Sequence, residues 1–346
     1  MKRSQSMTVV GAHAEGEVGR VVTGGVLPPP GDTLFEQREY LRTQDDGFRK
    51  FLLYEPRGGA FCHANLIVPP KDPRAQAGFI IMEATDYPPM SGSNTMCVVT
   101  VLLETGMLEM REPETRLVLE TPGGLVEAVA TSRGAKCESV AVTNVPCFVA
   151  KLDAPVEVRG QGTLTVDIAY GGAFFAIVDS QELGFALSRS EARELVEMGE
   201  TIKAAVVEQH AIVHPENSDI HTVTFTEFAA PVQVDGEGRK SGRNAVVISP
   251  GKLDRSPCGT GSSARLAVLH ARGQVAVNET FLSRSPIDSE FRCRIVDTAT
   301  VGGAPAILPE IAGRAWITGK HEFSLDPSDP FPEGYTLSDT WYRALD

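Results

Sequence analysis

The stretch DRSPCGTGSSA, residues 254–264, places Cys258 in a glycine-rich turn directly before a segment with helical periodicity. An earlier stretch, PMSGSNT at residues 89–95, also leads into an apolar helical run. Alignment of Ser91 with Cys258 keeps the two segments in register over fifteen further positions. The matching pairs are Gly92 and Gly259, Ser93 and Thr260, Thr95 and Ser262, Val101 and Val268, Leu102 and Leu269, and Gly106 and Gly273. The sequence therefore predicts an internal duplication in which Ser91 and Cys258 hold equivalent positions.

The length and charge of the chain limit the classes of protein to consider. A chain of 346 residues exceeds one ordinary core and fits two domains of about 150 residues each. The net charge of −13 argues against nucleic acids and anionic membranes, which bind basic patches. The first residues lack the apolar core of a secretory signal, and no apolar run approaches the ~20 residues of a membrane helix. We expect a cytoplasmic protein that acts on a small molecule. A homodimer is the one protein assembly that we consider.

The cysteines show no spacing typical of a metal site or a disulfide framework. The six are Cys62, Cys97, Cys137, Cys147, Cys258 and Cys293. We expect free thiols, as in a reducing cytosol. All but Cys258 are predicted to be small apolar side chains inside strands or helices.

Short strand-like segments separated by Gly, Pro, Asn and Asp make up much of the chain. The predicted strands are 19–26, 78–84, a hairpin over 116–131 with its turn at 121–124, 163–170, 174–179, 221–229, 244–249 and 314–319. The predicted helices are 94–105, 188–207 and 260–272. A capping box of Ser188 and Glu191 marks the start of the second helix.

These elements predict an α+β protein of two similar domains, each with strands wrapped around a central helix. The first domain is expected to comprise residues 1–150 plus 314–346 and to carry Ser91. The second is expected to comprise residues 151–313 and to carry Cys258.

The paired turns suggest acid–base chemistry next to a carboxylate. A turn that opens onto a helix leaves backbone N–H groups aimed at one place, and the helix dipole favours an anion there. The same donors stabilise a thiolate, so we expect a lowered pKa for Cys258. With Ser91 equivalent to it, the pair suits removal and return of a proton at the carbon beside a carboxylate. Asp254 is a candidate ligand for a substrate ammonium group, or simply a cap of its own turn.

Three other interpretations fit less well. The segment GTGSSA matches a dinucleotide fingerprint, but nine residues with two prolines separate it from the preceding strand. Ser91 lacks the GxSxG elbow of hydrolases. His210 and His214 have the spacing of a zinc-binding helix, but the motif glutamate is missing and Pro215 follows. These two histidines and His221 are predicted not to bind a metal.

Four segments together resemble the proline racemase family. They are HAEGEVGRVVTGG near the start, DIAYGGAFFAIVD at 167–179, DRSPCGTGSSARLAVLHARGQ at 254–274 and GRAWITG at 313–319. The resemblance spans nearly the whole chain. It implies the diaminopimelate-epimerase-like fold, with two similar α+β halves and the active site in the cleft between them. It also implies a reaction without cofactor or metal.

The chain departs from the family pattern at one position that matters for the reaction. Members that racemise proline or epimerise 4-hydroxyproline carry Met-Cys-Gly-His where this chain has Met90, Ser91, Gly92 and Ser93. Relatives that have lost one of the two cysteines dehydrate trans-3-hydroxy-L-proline. The resemblance therefore implies dehydration of that compound to Δ1-pyrroline-2-carboxylate. The alternatives are a 4-hydroxyproline 2-epimerase, also as a side activity, and a non-catalytic protein that binds an amino or imino acid.

The resemblance also assigns roles to individual residues. Ser91 is the expected proton acceptor and Cys258 the expected donor, and Asp254 is expected to hold the ring nitrogen. The expected N–H donors to the substrate carboxylate are Gly92, Ser93, Gly259 and Thr260.

Overall fold

The computed structural model describes residues 3–342 and residue 345. The chain forms two compact units, divided between Val142 and Thr143 and again between Ala312 and Gly313. We call the part before and after these divisions the first unit and Thr143–Ala312 the second unit. The sequence-based division at residue 150 falls inside the strand Cys147–Val158. In the structure this whole strand belongs to the second unit, where it pairs along its length.

The first unit contains eight strands and three helices within the described residues. Its elements are β1 (Arg3–Ala14), β2 (Glu17–Val26), α1 (Leu34–Gln44), α2 (Gly47–Leu53), β3 (Cys62–Val68), β4 (Ala77–Met82), α3 (Gly92–Glu104), β5 (Glu114–Thr121), β6 (Gly124–Arg133), β7 (Lys136–Thr143) and, from the end of the chain, β18 (Ala315–Ser324). Neither α1 nor α2 was predicted from the sequence. The capping box of Thr33 and Glu36 begins α1, so a local start pattern was present.

The second unit lies between β7 and β18 in the chain. Its elements are β8 (Cys147–Val158), β9 (Gly162–Tyr170), β10 (Phe174–Asp179), a short 3-10 turn (Arg189–Glu191), α4 (Ala192–Gln209), β11 (Val223–Ala229), β12 (Gln233–Val234), β13 (Lys240–Ile248), β14 (Lys252–Leu253), α5 (Gly259–Ala271), β15 (Thr280–Arg284), β16 (Glu290–Val301) and β17 (Ala304–Gly313). The predicted capping box of Ser188 and Glu191 is confirmed.

The strand pairings repeat from one unit to the next. In the first unit β1–β2 is antiparallel, β2–β3 parallel, β3–β4 antiparallel and β4–β5 parallel. In the second unit β9–β10, β10–β11, β11–β13 and β13–β15 follow the same alternation. A flanking strand pairs with β1 and with β9 in the same way, β18 in one case and β8 in the other. The duplication seen in the paired turns therefore extends through these strand pairings.

Each unit has one helix that is buried nearly all round. Every residue of α3 from Gly92 to Leu103 is buried, and α5 is buried from Gly261 to Leu269. A helix with no polar face belongs in a core, and strands pack around both. At the start of α5 the approach is so close that a Cβ on Gly171 would lie 2.1 Å from the Thr260 carbonyl oxygen. The prediction of strands around a central helix is confirmed.

None of the helices in the described part of the chain is long and apolar enough to cross a membrane.

Candidate active site

Ser91 is the N-cap residue of α3. Its extended backbone turns the side chain back over the first helical turn, where Oγ accepts hydrogen bonds from the Asn94 backbone N–H at 3.5 Å and from Asn94 Nδ2 at 3.0 Å. Ser93 Oγ lies 3.4 Å away. Two donors therefore converge on Ser91 Oγ, which stabilises negative charge that develops on this oxygen.

A backbone carbonyl fixes the orientation of the side-chain amides of Asn65 and Asn94. Asn65 Nδ2 donates to the Arg20 carbonyl oxygen at 3.2 Å and to Asn94 Oδ1 at 2.8 Å. Asn94 Nδ2 must then point the other way, toward Ser91 and toward His63 Nδ1 at 3.2 Å. The donor at Ser91 Oγ is thus set by a chain of contacts that ends at the main chain.

Behind this amide chain lies a buried histidine between two glutamates. His63 Nε2 is 3.4 Å from Glu17 Oε1, and His63 Nδ1 is 3.5 Å from Glu83 Oε1. The three side chains are almost entirely shielded from solvent. The network holds the ring that contacts Asn94, and so it supports the position of the Asn94 amide.

Cys258 is the N-cap residue of α5, and its side chain makes contacts like those of Ser91. Its Sγ accepts a hydrogen bond from the Gly261 backbone N–H at 3.3 Å and lies 3.6 Å from Thr260 Oγ1. Its own N–H donates to Ser256 Oγ at 3.1 Å. The predicted equivalence of the two positions is therefore found in their hydrogen bonds, each side chain accepting from the N–H three residues on.

The expected lowering of the Cys258 pKa is wrong for the free protein. Burial raises the pKa of the Cys258 thiol well above its ordinary value, and the nearby Asp254 carboxylate adds to the increase. The Gly261 N–H and the Thr260 hydroxyl act in the opposite direction but are the weaker influences. The sequence shows a helix N-terminus, which lowers a thiol pKa, but it does not show the cost of placing an anion in a buried, acidic surrounding. Cys258 is consequently a thiol at neutral pH.

The backbone of Cys258 is strained, with φ +61° and ψ 113°, a conformation that favours glycine. We expect the Cys258→Gly variant to be about 1 kcal/mol more stable to urea than Cys258→Ala, since both lack the thiol and only alanine keeps a Cβ at this φ. Ser91 has φ −152° and provides the matched pair. There glycine should exceed alanine only because it is the better N-cap residue, so the gain of glycine over alanine should be larger at Cys258 than at Ser91. Equal gains at the two positions would contradict the strain.

The first backbone N–H groups of both helices lack acceptors in the described part of the chain. Within residues 3–342 and 345, the N–H groups of Gly92, Ser93, Gly259 and Thr260 have no hydrogen-bond acceptor. Unpaired donors at a helix N-terminus attract an anion. All four were predicted from the sequence as donors to a carboxylate, and each unit presents two of them.

Asp254 caps the turn that leads to Cys258. Its Oδ1 accepts from the Ser256 backbone N–H and from Ser256 Oγ, both at 2.8 Å, and the side chain is buried. This is the turn-cap interpretation of the residue. Through Ser256, which accepts from the Cys258 N–H, Asp254 also helps to hold the cysteine in place.

The candidate histidines do not form a metal site. Because α4 ends at Gln209, His210 and His214 are not on one helical face. His210 contacts Lys151 Nζ and the Pro155 carbonyl oxygen, both at 3.0 Å. Among the described residues no group of three or more His, Cys, Asp or Glu side chains is arranged to hold a metal ion.

Five buried polar residues near the two N-caps were not predicted from the sequence. They are His63, Asn65, Asn94, Glu227 and Asn244. Asn94 stands inside the quoted PMSGSNT stretch, three residues after Ser91, which is the spacing of an N-cap partner. Asn65 and Glu227 lie on β3 and β11, where polar side chains within a buried strand were the only indication.

Comparison with solved structures gives two close relatives. A hydroxyproline epimerase from Agrobacterium vitis, with trans-4-hydroxy-L-proline bound, is 43% identical, with 99% of this chain and 98% of that chain covered and a TM-score of 0.90. A probable proline racemase from Agrobacterium radiobacter K84, with carbonate bound, is 42% identical, with 97% and 98% covered and a TM-score of 0.89. These two establish likeness over the full length of this chain.

A more distant structure shares only the fold. A phenazine biosynthesis protein of the PhzF family from Bacillus anthracis is 13% identical, with 93% of this chain and 99% of that chain covered and a TM-score of 0.56. The predicted α+β, diaminopimelate-epimerase-like fold class is confirmed by these likenesses. The sequence profile of the family described as Proline racemase matches residues 9–336. The chain therefore belongs to the proline racemase family.

Proposed function

We propose that this protein is a 4-hydroxyproline 2-epimerase, which inverts the α-carbon of trans-4-hydroxy-L-proline by exchange of its α-proton. The observation that carries the proposal is the pair Ser91 and Cys258, each an N-cap residue with converging donors at its side chain. Support comes also from the 43% identical hydroxyproline epimerase with trans-4-hydroxy-L-proline bound. The sequence alone favoured the dehydratase, with the epimerase as the alternative. The likeness to this relative favours the epimerase instead.

Each side chain has one role in each direction of the reaction. From the L-substrate, Ser91 as the alkoxide accepts the α-proton and becomes the alcohol, while the Cys258 thiol donates its proton to the other face and becomes the thiolate; the reverse direction starts from the alcohol and the thiolate. The Cys258 thiol is held protonated, as a donor requires. Ser91 is the weaker acid, and the two Asn94 donors stabilise its charged form. These neighbours bring the two acidities closer, so that neither direction is blocked.

The substrate carboxylate and the ring nitrogen have separate proposed ligands. The unpaired N–H groups of Gly92, Ser93, Gly259 and Thr260 bind the carboxylate. Asp254 faces the ring nitrogen, whose positive charge offsets the effect of this carboxylate on the Cys258 pKa. Negative charge formed at the α-carbon delocalises onto the carboxylate, where the same N–H donors stabilise it.

Dehydration of trans-3-hydroxy-L-proline is the second candidate. The serine in place of the family's first cysteine favours it, because loss of the 3-hydroxyl needs only one competent base. The 3-hydroxyl is trans to the carboxylate and so lies on the same face as the α-hydrogen, where one group can serve both. The third candidate is a non-catalytic protein that binds an amino or imino acid. Homodimer formation and a cytoplasmic location stay predictions.

The test is a proton NMR assay in D2O with trans-4-hydroxy-L-proline, trans-3-hydroxy-L-proline and L-proline. We expect loss of the α-proton signal of the 4-hydroxy compound, appearance of its cis-D epimer and retention of the hydroxyl. Formation of Δ1-pyrroline-2-carboxylate from the 3-hydroxy compound alone would replace the epimerase by the dehydratase. No change in any of the three, with binding intact, would favour the binding protein.

A further inference from the structure

Glu227 is a buried acid that the proposed reaction does not use. It lies on β11 with no measurable exposure. Oε1 accepts a hydrogen bond from Asn244 Nδ2 at 2.9 Å, whereas Oε2 has no hydrogen-bond partner among the described residues. A buried acid with one unsatisfied oxygen is unfavourable for stability, so its presence calls for an explanation.

The unpaired oxygen of Glu227 is directed at the first turn of α5. A Cβ placed on Gly261 would lie 3.0 Å from Glu227 Oε2 and 3.2 Å from Cys258 Sγ. The carboxylate oxygen and the sulfur therefore cannot be farther apart than the sum of these two distances. Gly261 has no side chain to separate them, and its N–H is the donor to Sγ.

The other charged and titratable groups around Glu227 leave its charge only partly balanced. Arg265, on α5, is the one that lowers the Glu227 pKa, but its guanidinium donates to the Arg243 and Ala230 carbonyl oxygens. Three further acidic groups act on these residues. Asp254 raises the pKa of Cys258, and Cys293 on β16 and Asp179 on β10 raise the pKa of Arg265. Burial outweighs Arg265 and Asn244 and raises the pKa of Glu227 to about 7.

The first unit has uncharged groups at the corresponding place. The residue equivalent to Gly261 is Asn94, and its side chain contacts Asn65 on β3, the counterpart of β11. Ser91 therefore has neutral amides where Cys258 has a carboxyl group. A carboxylate raises the pKa of the nearby thiol, whereas amide donors lower the pKa of the alcohol. The difference between the units therefore brings the pKa values of Ser91 and Cys258 closer together.

We propose that Glu227 is a positioning residue that, when ionised, holds Cys258 as the protonated thiol. A carboxylate near Sγ opposes formation of the thiolate, whereas the protonated carboxyl group does not. The protonation of the two groups is therefore coupled. The inference rests on the proposed function only in taking Cys258 as a proton-transfer group.

The test compares Glu227→Gln with the unchanged protein in alkylation by iodoacetamide, with the modified Cys258 peptide quantified by mass spectrometry across pH. Only the thiolate reacts. The Glu227→Gln protein should react at the same rate below about pH 5.5, where Glu227 is protonated, and on the order of tenfold faster above about pH 8. Glu208→Gln, an exposed glutamate on α4, is the matched control and should follow the unchanged protein.

The pH profile separates an electrostatic role from a structural one. A loosened fold would raise the rate equally at every pH, and this result would overturn the proposal. Equal rates at all pH values, or no labelling of Cys258 in either protein, would overturn it as well. Because no substrate is present, these outcomes are independent of whether the protein epimerises 4-hydroxyproline.

Discussion

Replacement of Cys258 by alanine is expected to lower kcat for epimerisation of trans-4-hydroxy-L-proline roughly 10²- to 10⁴-fold, the usual contribution of one acid–base group. The alanine keeps the backbone N–H groups of Gly259 and Thr260, which are the proposed ligands of the carboxylate. The substrate Kd should therefore change little. Initial rates by polarimetry and binding by calorimetry measure the two quantities.

Cys137→Ala is the matched control for this variant. Cys137 is a second buried cysteine, on β7 in the first unit, and its Sγ lies 3.8 Å from Ser132 Oγ. It should lose some stability and keep kcat, because only a small apolar side chain is removed. If Cys258→Ala retained activity similar to Cys137→Ala, Cys258 would not be a proton-transfer group.

Replacement of Ser91 by alanine should have an effect of similar size, roughly 10²-fold or more on kcat, because it removes the second proposed acid–base group. Ser91→Cys should behave in the opposite way. A thiol is far more acidic than an alcohol and remains within reach of the Asn94 donors. We expect this variant to keep epimerase activity and to gain exchange of the α-proton of L-proline.

The measurement is the rate of α-proton exchange in D2O for unchanged protein, Ser91→Ala and Ser91→Cys, with 4-hydroxyproline and proline as substrates. Full activity of Ser91→Ala would remove Ser91 from the mechanism. Loss of activity in Ser91→Cys, with the fold intact, would show that the serine is required for more than proton transfer.

The paired turns could be predicted from the sequence because their information is local. A glycine-rich turn, an N-cap side chain and an apolar helix occupy adjacent positions, so the equivalence of Ser91 and Cys258 follows from spacing, whereas the roles of Gly92, Ser93, Gly259 and Thr260 were implied by the family resemblance. The first unit's helix α1 was missed although Thr33 and Glu36 carry its capping box. Its residues are mostly polar, and they follow a proline-rich stretch that is typical of a loop.

The chemical state of the site could not be predicted because it depends on long-range contacts. Glu227 reaches the turn of Cys258 from a strand about thirty positions earlier in the chain, and Asn65 reaches Asn94 from a different strand, 29 positions earlier. The thiol pKa follows from burial and from Asp254, which oppose the helix N-terminus. Sequence spacing shows which groups are neighbours along the chain, but not how far each is removed from water.

The most direct test of the account follows deuterium during the first few per cent of epimerisation of trans-4-hydroxy-L-proline in D2O. If Ser91 and Cys258 act as separate acceptor and donor, the product carries deuterium at the α-carbon while the remaining substrate keeps its proton. If one group did both steps, the remaining substrate would exchange as fast as product forms. That second result would contradict the two-residue mechanism.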